Sequence, residues 1–163
     1  MDQEDAQTSR IRRSATAALQ AIPGCPFKFE AGEPQRVDSP SGELAYWMVP
    51  GLVENKLQAI ARILPDGRVA TVGSLRAPAI DCAQAVTGLS ATDVERVTTE
   101  LGNQFPGAQI SEPILVDDGP VGREAWLYTL TLPPGNKLWV FATAGGTYSR
   151  PAGQPLGSDL THE

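Results

Sequence analysis

Histidine is nearly absent from this chain of 163 residues, the only one being His162. An imidazole beside a chain end makes a poor metal ligand or general base, because chain ends are usually mobile. His-based triads and His/Cys metal catalysis are therefore not expected. Cysteine is also scarce. Cys25 and Cys82 lack the CxxC or Cys/His spacing of a zinc site. No apolar run approaches the roughly 18 residues of a membrane-spanning helix. The opening Met1-Asp2-Gln3-Glu4-Asp5 lacks the apolar stretch of a signal peptide. The chain is expected to be a trimmed extracytoplasmic form, or cytoplasmic if its thiols are reduced. Base is scarce in one half: residues 81–163 hold ten acids against four bases, which accounts for the net charge of −6. A basic footprint for nucleic acid is missing. Arg10, Arg12 and Arg13 are the only local basic cluster and read as a solvated helix face. Neither GxSxG nor a phosphate loop occurs, and Gly145-Gly146-Thr147 lacks the lysine and following helix of one. A lone Ser or Thr without a base is not an activated nucleophile.

What is present is turn-forming residues and short apolar runs. Hydrophobic residues are 41% of the chain and charged residues 20%, ordinary values for a globular protein. Glycine (16) and proline (14) are enriched, which predicts many turns and short strands.

Residues 1–9 read as a disordered polar arm. From Arg10, the positions Ile11, Ala15, Ala18, Leu19 and Ile22 fall on one face of a helix that Pro23-Gly24 ends. Strands are predicted over 27–30, 44–49, 56–64 and 68–73. Pro65-Asp66-Gly67 is a tight turn joining the last two. Residues 77–89 read as a connector. Ser90 and Asp93 have the spacing of a capping box, and Val94, Val97, Leu101 and Phe105 follow with helical periodicity up to Pro106-Gly107. Strands over 109–116, 125–132 and 137–143 come next, and 151–163 read as a flexible tail.

The halves resemble one another. Ala21-Ile22-Pro23-Gly24 answers Gln104-Phe105-Pro106-Gly107. Phe27-Lys28-Phe29-Glu30-Ala31-Gly32-Glu33-Pro34 answers Ala108-Gln109-Ile110-Ser111-Glu112-Pro113, and the stretch Gly42 to Gly51 answers Gly122 to Leu130, with Trp47 and Trp126 at matching positions. This self-similarity predicts an α+β fold of two helix–β–β–β repeats, 10–76 and 90–150, each an antiparallel sheet covered by a helix.

The stretch SATDVERVTTELGNQFPGAQISEP followed by AWLYTLTLPPGNKLWVFATAGGTY resembles the PepSY domain. A helix running into Pro-Gly leads there to strands, with Tyr128–Leu132 and Val140–Gly146 in the places of the family's later ones. Residues 10–75 look like a more divergent copy. The family's aspartate before the final turn is absent, with Thr143-Ala144 in its place. The resemblance implies a small extracytoplasmic binding or inhibitory module without catalytic residues, its partner being a peptidase.

The individual candidate residues each carry an ordinary alternative. A Cys25–Cys82 disulfide would close a loop of about 57 residues, worth about 3–4 kcal/mol by chain entropy. The alternative is two reduced thiols acting as small core hydrophobes. Tyr46, Trp47, Trp126, Tyr128 and Trp139 could form a binding face, since aromatics dominate interface hot spots, or could fill the core. Asp117-Asp118 lies in a turn sequence and lacks the ligand spacing of a calcium loop. No catalytic, cofactor or metal residue is expected. The first reading is a non-enzymatic protein- or peptide-binding module that takes an extended partner by strand addition. Alternatives are a cytoplasmic acidic adaptor or secretion chaperone, with which a homodimer would fit, and a small-molecule or lipid carrier or unrecognised enzyme.

Overall fold

A computed structural model describes residues 3–154. It contains three helices and ten strands in the order α1 (Gln3–Gln20), β1 (Glu30–Ala31), β2 (Gln35–Asp38), β3 (Leu44–Val53), β4 (Lys56–Ile63), β5 (Val69–Ala79), α2 (Cys82–Thr87), α3 (Ala91–Gln104), β6 (Gln109–Ile110), β7 (Ile114–Asp117), β8 (Glu124–Leu132), β9 (Asn136–Thr143) and β10 (Gly146–Pro151). The fold is α+β with a large, mostly antiparallel sheet. Two expected helix–β–β–β repeats with separate sheets are not what forms. The strands make one hydrogen-bonded ladder, β10-β9-β8-β7-β2-β3-β4-β5, with β1 beside β3 and β6 beside β8. The single β2–β7 bridge, Asp38 with Val116, is parallel. No helix is long and apolar enough to cross a membrane among the described residues.

Two prolines explain part of the difference. The expected strand 109–116 breaks at Pro113, which has no N–H for the ladder. β6 and β7 therefore both pair with β8, but their registers differ by one residue: Ile110 faces Leu130 and Ile114 faces Leu127. Pro34 occupies the same place between β1 and β2. In the other direction, β3 runs on through Pro50-Gly51, which the sequence suggested as its end. The hairpin instead turns at Glu54-Asn55, both at positive φ (50° and 63°), the backbone of a two-residue turn matched to strand twist. Neither residue is glycine, so the usual signature is missing.

The first compact unit comprises residues 1–37 and 44–86. Its helix α1 already includes Gln3, so the described part of the expected amino-terminal arm is helical. The stripe Ile11, Ala15 and Leu19 is buried against Phe29, Val49, Ala59, Ala61 and Ile63. Gly51 permits that approach. A Cβ there would lie 2.8 Å from Leu19 Cδ2 and 3.2 Å from Ala59 Cβ. The β4–β5 hairpin closes as the Pro-Asp-Gly sequence predicts, with Leu64 N–H donating to Arg68 O and Gly67 N–H to Leu64 O, both at 2.8 Å.

The second unit comprises residues 38–43 and 87–163, described through Gln154. Ser90 caps α3, and the capping box with Asp93 is formed in both directions, at 3.2 and 3.0 Å. The α3 stripe Val97 and Leu101 packs on Tyr128, Leu130, Val140 and Ala142. On the opposite side of these strands, Val116, Ala125, Leu127 and Phe141 form a separate cluster, with Trp139 and Tyr148 against it. The sequence reading did not separate β10 as a strand. It returns through a two-residue loop, Ala144-Gly145, and pairs with β9 along its full length.

The registers of the halves correspond. Glu30 faces Leu52 and Ala31 faces Gly51, while Gln109 faces Thr131 and Ile110 faces Leu130. Trp47 faces Ile63, and Trp126 faces Ala142. Equivalent residues are thus 79 positions apart throughout these strands.

Candidate functional site

The expected aromatic face does not form as one surface. Tyr46 and Tyr128 are core residues, 1% and 0% exposed. The Tyr128 hydroxyl donates to Val94 O at 2.9 Å and accepts from Thr98 Oγ1 at 3.2 Å, which pins α3 to β8. Burial pushes its phenol above the ordinary value. Trp47 and Trp126 sit at equivalent register positions and are half-buried against the two helix-side cores. Each indole N–H is buried with no hydrogen-bond partner among the described residues. Trp139 lines a surface recess. Cys25 and Cys82, both half-buried, are not joined by a disulfide.

The most developed polar geometry was missed by the sequence reading. Asp118, expected as an ordinary turn aspartate, is only 2% exposed. Arg150, at the margin of the expected tail, grips it with Nη2 to Oδ1 at 2.6 Å and Nη1 to Oδ2 at 2.8 Å. The Tyr148 hydroxyl donates to the same Oδ2 at 2.9 Å. Register dictates this convergence. Tyr148 lies opposite Phe141 and Arg150 opposite Trp139 in the β9–β10 pair. The Tyr148 and Phe141 rings therefore stack, 4.9 Å apart and 9° from parallel. The Arg150 guanidinium lies 4.5 Å from the Phe141 ring centre and 5.5 Å from that of Trp139. Burial pulls the Asp118 carboxyl upward, but hydrogen bonds from Arg150 and Tyr148 and the charges of Arg150 and Arg123 hold it below the ordinary carboxylate value. Burial, then the bond to Asp118 and its charge, pushes the Tyr148 phenol up to about 12.

The equivalent strand pair of the first unit is built differently. There Thr71 lies opposite Arg62 and Gly73 opposite Ile60, where β10 places Tyr148 and Arg150. The paired-strand scaffold thus forms without this cluster.

β10 ends the ladder, and one edge of it faces no strand among the described residues. The bond from Ala152 N–H to Lys137 O (3.1 Å) fixes which groups point inward. Antiparallel ladders alternate, so N–H and C=O groups of Thr147 and Ser149 point away from β9. Pro151 falls in the same outward phase, where a proline removes no ladder bond. The edge is flanked by a recess on each face. One, of about 150 Å³ and mostly polar, lies between α3 and β10 and is lined by Leu101, Gln104, Phe105, Val140, Thr147, Tyr148 and Ser149. The other, of about 280 Å³, is lined by Ser41, Asp117, Asp118, Trp139, Arg150 and Gln154, among others. β5, at the other end of the ladder, is less regular. Its pairing with β4 shifts register twice, and it contains Pro78, features that blunt an edge against strand addition.

Comparison with protein-family models, with curated proteins and with solved structures finds no match for the chain.

Proposed function

We propose that the protein is a non-enzymatic binding module that takes an extended peptide segment of a partner protein along β10. One observation carries this reading: a regular six-residue edge strand with a recess on each face. Strand addition draws affinity from main-chain hydrogen bonds and specificity from pockets that receive alternate side chains. β10 offers the outward groups of Thr147 and Ser149 for the first. For the second, a strand laid beside it would send successive side chains to opposite faces, one toward the α3 recess and the next toward the Trp139 recess. The PepSY resemblance of residues 90–150 belongs to the same proposal and makes a peptidase, or the extended propeptide of one, the favoured partner class.

The test is peptide binding by the whole protein, followed by fluorescence anisotropy against a library of capped, extended octapeptides. Ser149→Pro removes an outward donor while sparing the β9–β10 ladder. It is expected to weaken binding by tenfold or more with the melting temperature little changed. Peptide binding that ignores Ser149→Pro, or no binding by any extended peptide, overturns the proposal.

A further inference from the structure

We infer that the bond between Arg76 and Ala77 is a processing site, at which a peptidase that cleaves after arginine opens the chain between its two sets of helix and strands. β10 plays no part in this, so the site stands or falls independently of strand addition.

The site is made by the way β5 leaves its ladder. Ser74 lies opposite Ala59, and pairing resumes only at Ala79, opposite Leu57. Residues 75–78 thus have the single residue Gln58 across from them, and none of the four is paired with β4. The Gln58 side chain reaches this stretch with Nε2 donating to Leu75 O at 3.4 Å. On its other side β5 ends the ladder, with no strand beyond it among the described residues. Arg76, Ala77 and Pro78 are exposed, and Ile80 just past them is 88% exposed. The Arg76 guanidinium makes no hydrogen bond or ion pair among the described residues.

A peptidase must draw the backbone around the bond into its cleft, so cleavage of a folded chain follows the cost of freeing that backbone. Here the stretch is already extended and has no ladder bonds to β4 to give up. Arg76 supplies the cation that a specificity pocket with a carboxylate receives. Pro78 stands one residue past the bond, so the amide that breaks is the ordinary one of Ala77. Hydrolysis consumes one water: the C–N bond breaks, hydroxyl adds to the Arg76 carbonyl carbon and a proton goes to the Ala77 nitrogen.

The other cations are held. The chain has 13 Lys and Arg residues. Arg10, Arg12, Arg13 and Arg96 lie within helices. Lys56, Arg62, Lys137 and Arg150 stand opposite paired residues, and Arg36 is on β2, inside the ladder. Arg68 O and Arg123 O each close a turn, accepting from the N–H of Leu64 and of Asp118. Lys28 is the nearest competitor, in a stretch without helix or strand. The residue after it, Phe29, is 5% exposed in the α1 core, so freeing that bond would pull the ring out. A cut after Arg76 instead leaves α1, β1–β4 and the regularly paired part of β5 in one piece, and α2, α3 and β6–β10 in the other.

The test is limited proteolysis of the whole native protein with a trace of trypsin, read as intact masses over time. The first products expected are 1–76 and 77–163, formed at least tenfold faster than fragments from a cut after Lys28. The nicked chain should still melt cooperatively, since the Ala59–Ser74 and Leu57–Ala79 pairs flank the cut. Arg76→Gln should leave the chain intact about tenfold longer at an unchanged melting temperature. Ala77→Pro keeps the arginine and should block the same cut, because the leaving nitrogen becomes that of a proline. A lysine-specific peptidase at the same ratio should leave the native chain whole. A first cut after Lys28 or after a residue in the ladder, cuts at many positions at one rate, or an Arg76→Gln chain cut as fast as the native one overturns the inference. So does a first cut that unfolds the chain, because residues 75–78 would then be held by the fold.

Discussion

Arg150 and Asp118 form a two-pronged ion pair, at 2.6 and 2.8 Å, in which the side chains are only 11% and 3% exposed. Removing one partner of such a pair leaves a buried charge behind, at a cost of about 3–5 kcal/mol. Arg150→Met and Asp118→Asn are each expected to lower stability within that range in urea unfolding. The double variant should lose much less than the two losses combined. Additive losses would show that the two groups do not interact across the strands.

Tyr148 supplies a pH signature of the same cluster. Its phenol is raised to about 12, against an ordinary value near 10. A raised folded value means stability is fully present below the unfolded value and is lost as pH rises through the folded one. Stability is therefore expected to fall between about pH 10 and pH 12. Absorbance at 295 nm should show a tyrosine titrating late, and Tyr148→Phe should remove that component. Asp118 works in the opposite direction. Its lowered carboxyl contributes stability above the ordinary carboxylate range, lost as pH falls through its folded value.

How much of this was legible in the sequence depended on whether the deciding interaction is local. The capping box at Ser90-Asp93, the Pro-Asp-Gly turn and the Ile11–Leu19 stripe are written within a few residues of one another. The single continuous ladder is not. It depends on short strands, β2 and β7, whose pairing joins residues far apart in sequence. The candidate site was obscured for the same reason. Asp118 and Arg150 are 32 residues apart, one in a segment read as a turn and the other the last residue of the expected second repeat. One signal was available: Tyr148-Ser149-Arg150 alternates a polar residue between two long amphipathic ones, a strand pattern at the end of an apolar hairpin. The aromatic set shows the complementary difficulty. Period-2 alternation tells which side chains share a face, but not which face is buried, so Tyr128 and Trp139 looked alike.

Tyr128 links α3 to the sheet through one hydrogen bond given and one received. Tyr128→Phe keeps the ring and removes both bonds, and the single Thr98 hydroxyl proton can then go to Val94 O, 3.0 Å away. The expected cost is about 1 kcal/mol, a typical net value for one buried bond. Hydrogen exchange should accelerate first in α3. A loss near 4 kcal/mol would mean the ring packing, not the hydroxyl, had been disturbed.

The cysteines offer a direct chemical check. Both are half-buried and unbridged. Native protein is expected to take up two equivalents of alkylating reagent without reductant, read as intact mass. A mass that shifts only after reduction would place a Cys25–Cys82 bond in the protein as isolated.

Gly51 and Leu130 occupy equivalent register positions, yet they are opposite in size. In the first unit the helix comes so close that a Cβ on residue 51 would sit 2.8 Å from Leu19 Cδ2. In the second, a full leucine is accommodated under α3 with 0% exposure. Corresponding positions beneath the two helices thus hold side chains of opposite size. Gly51→Ala should cost about 1–3 kcal/mol by overpacking, since Ala59 on the neighbouring strand closes off the sideways escape. Leu19→Ala removes the atoms in conflict but opens a cavity, at about 2–5 kcal/mol. Combined, the two changes compensate in volume, and the double variant should be more stable than Leu19→Ala alone. If Gly51→Ala proves as damaging in the Leu19→Ala background as in the native one, the conflict is not with Leu19. The close approach of α1 would then not be what requires a glycine at residue 51.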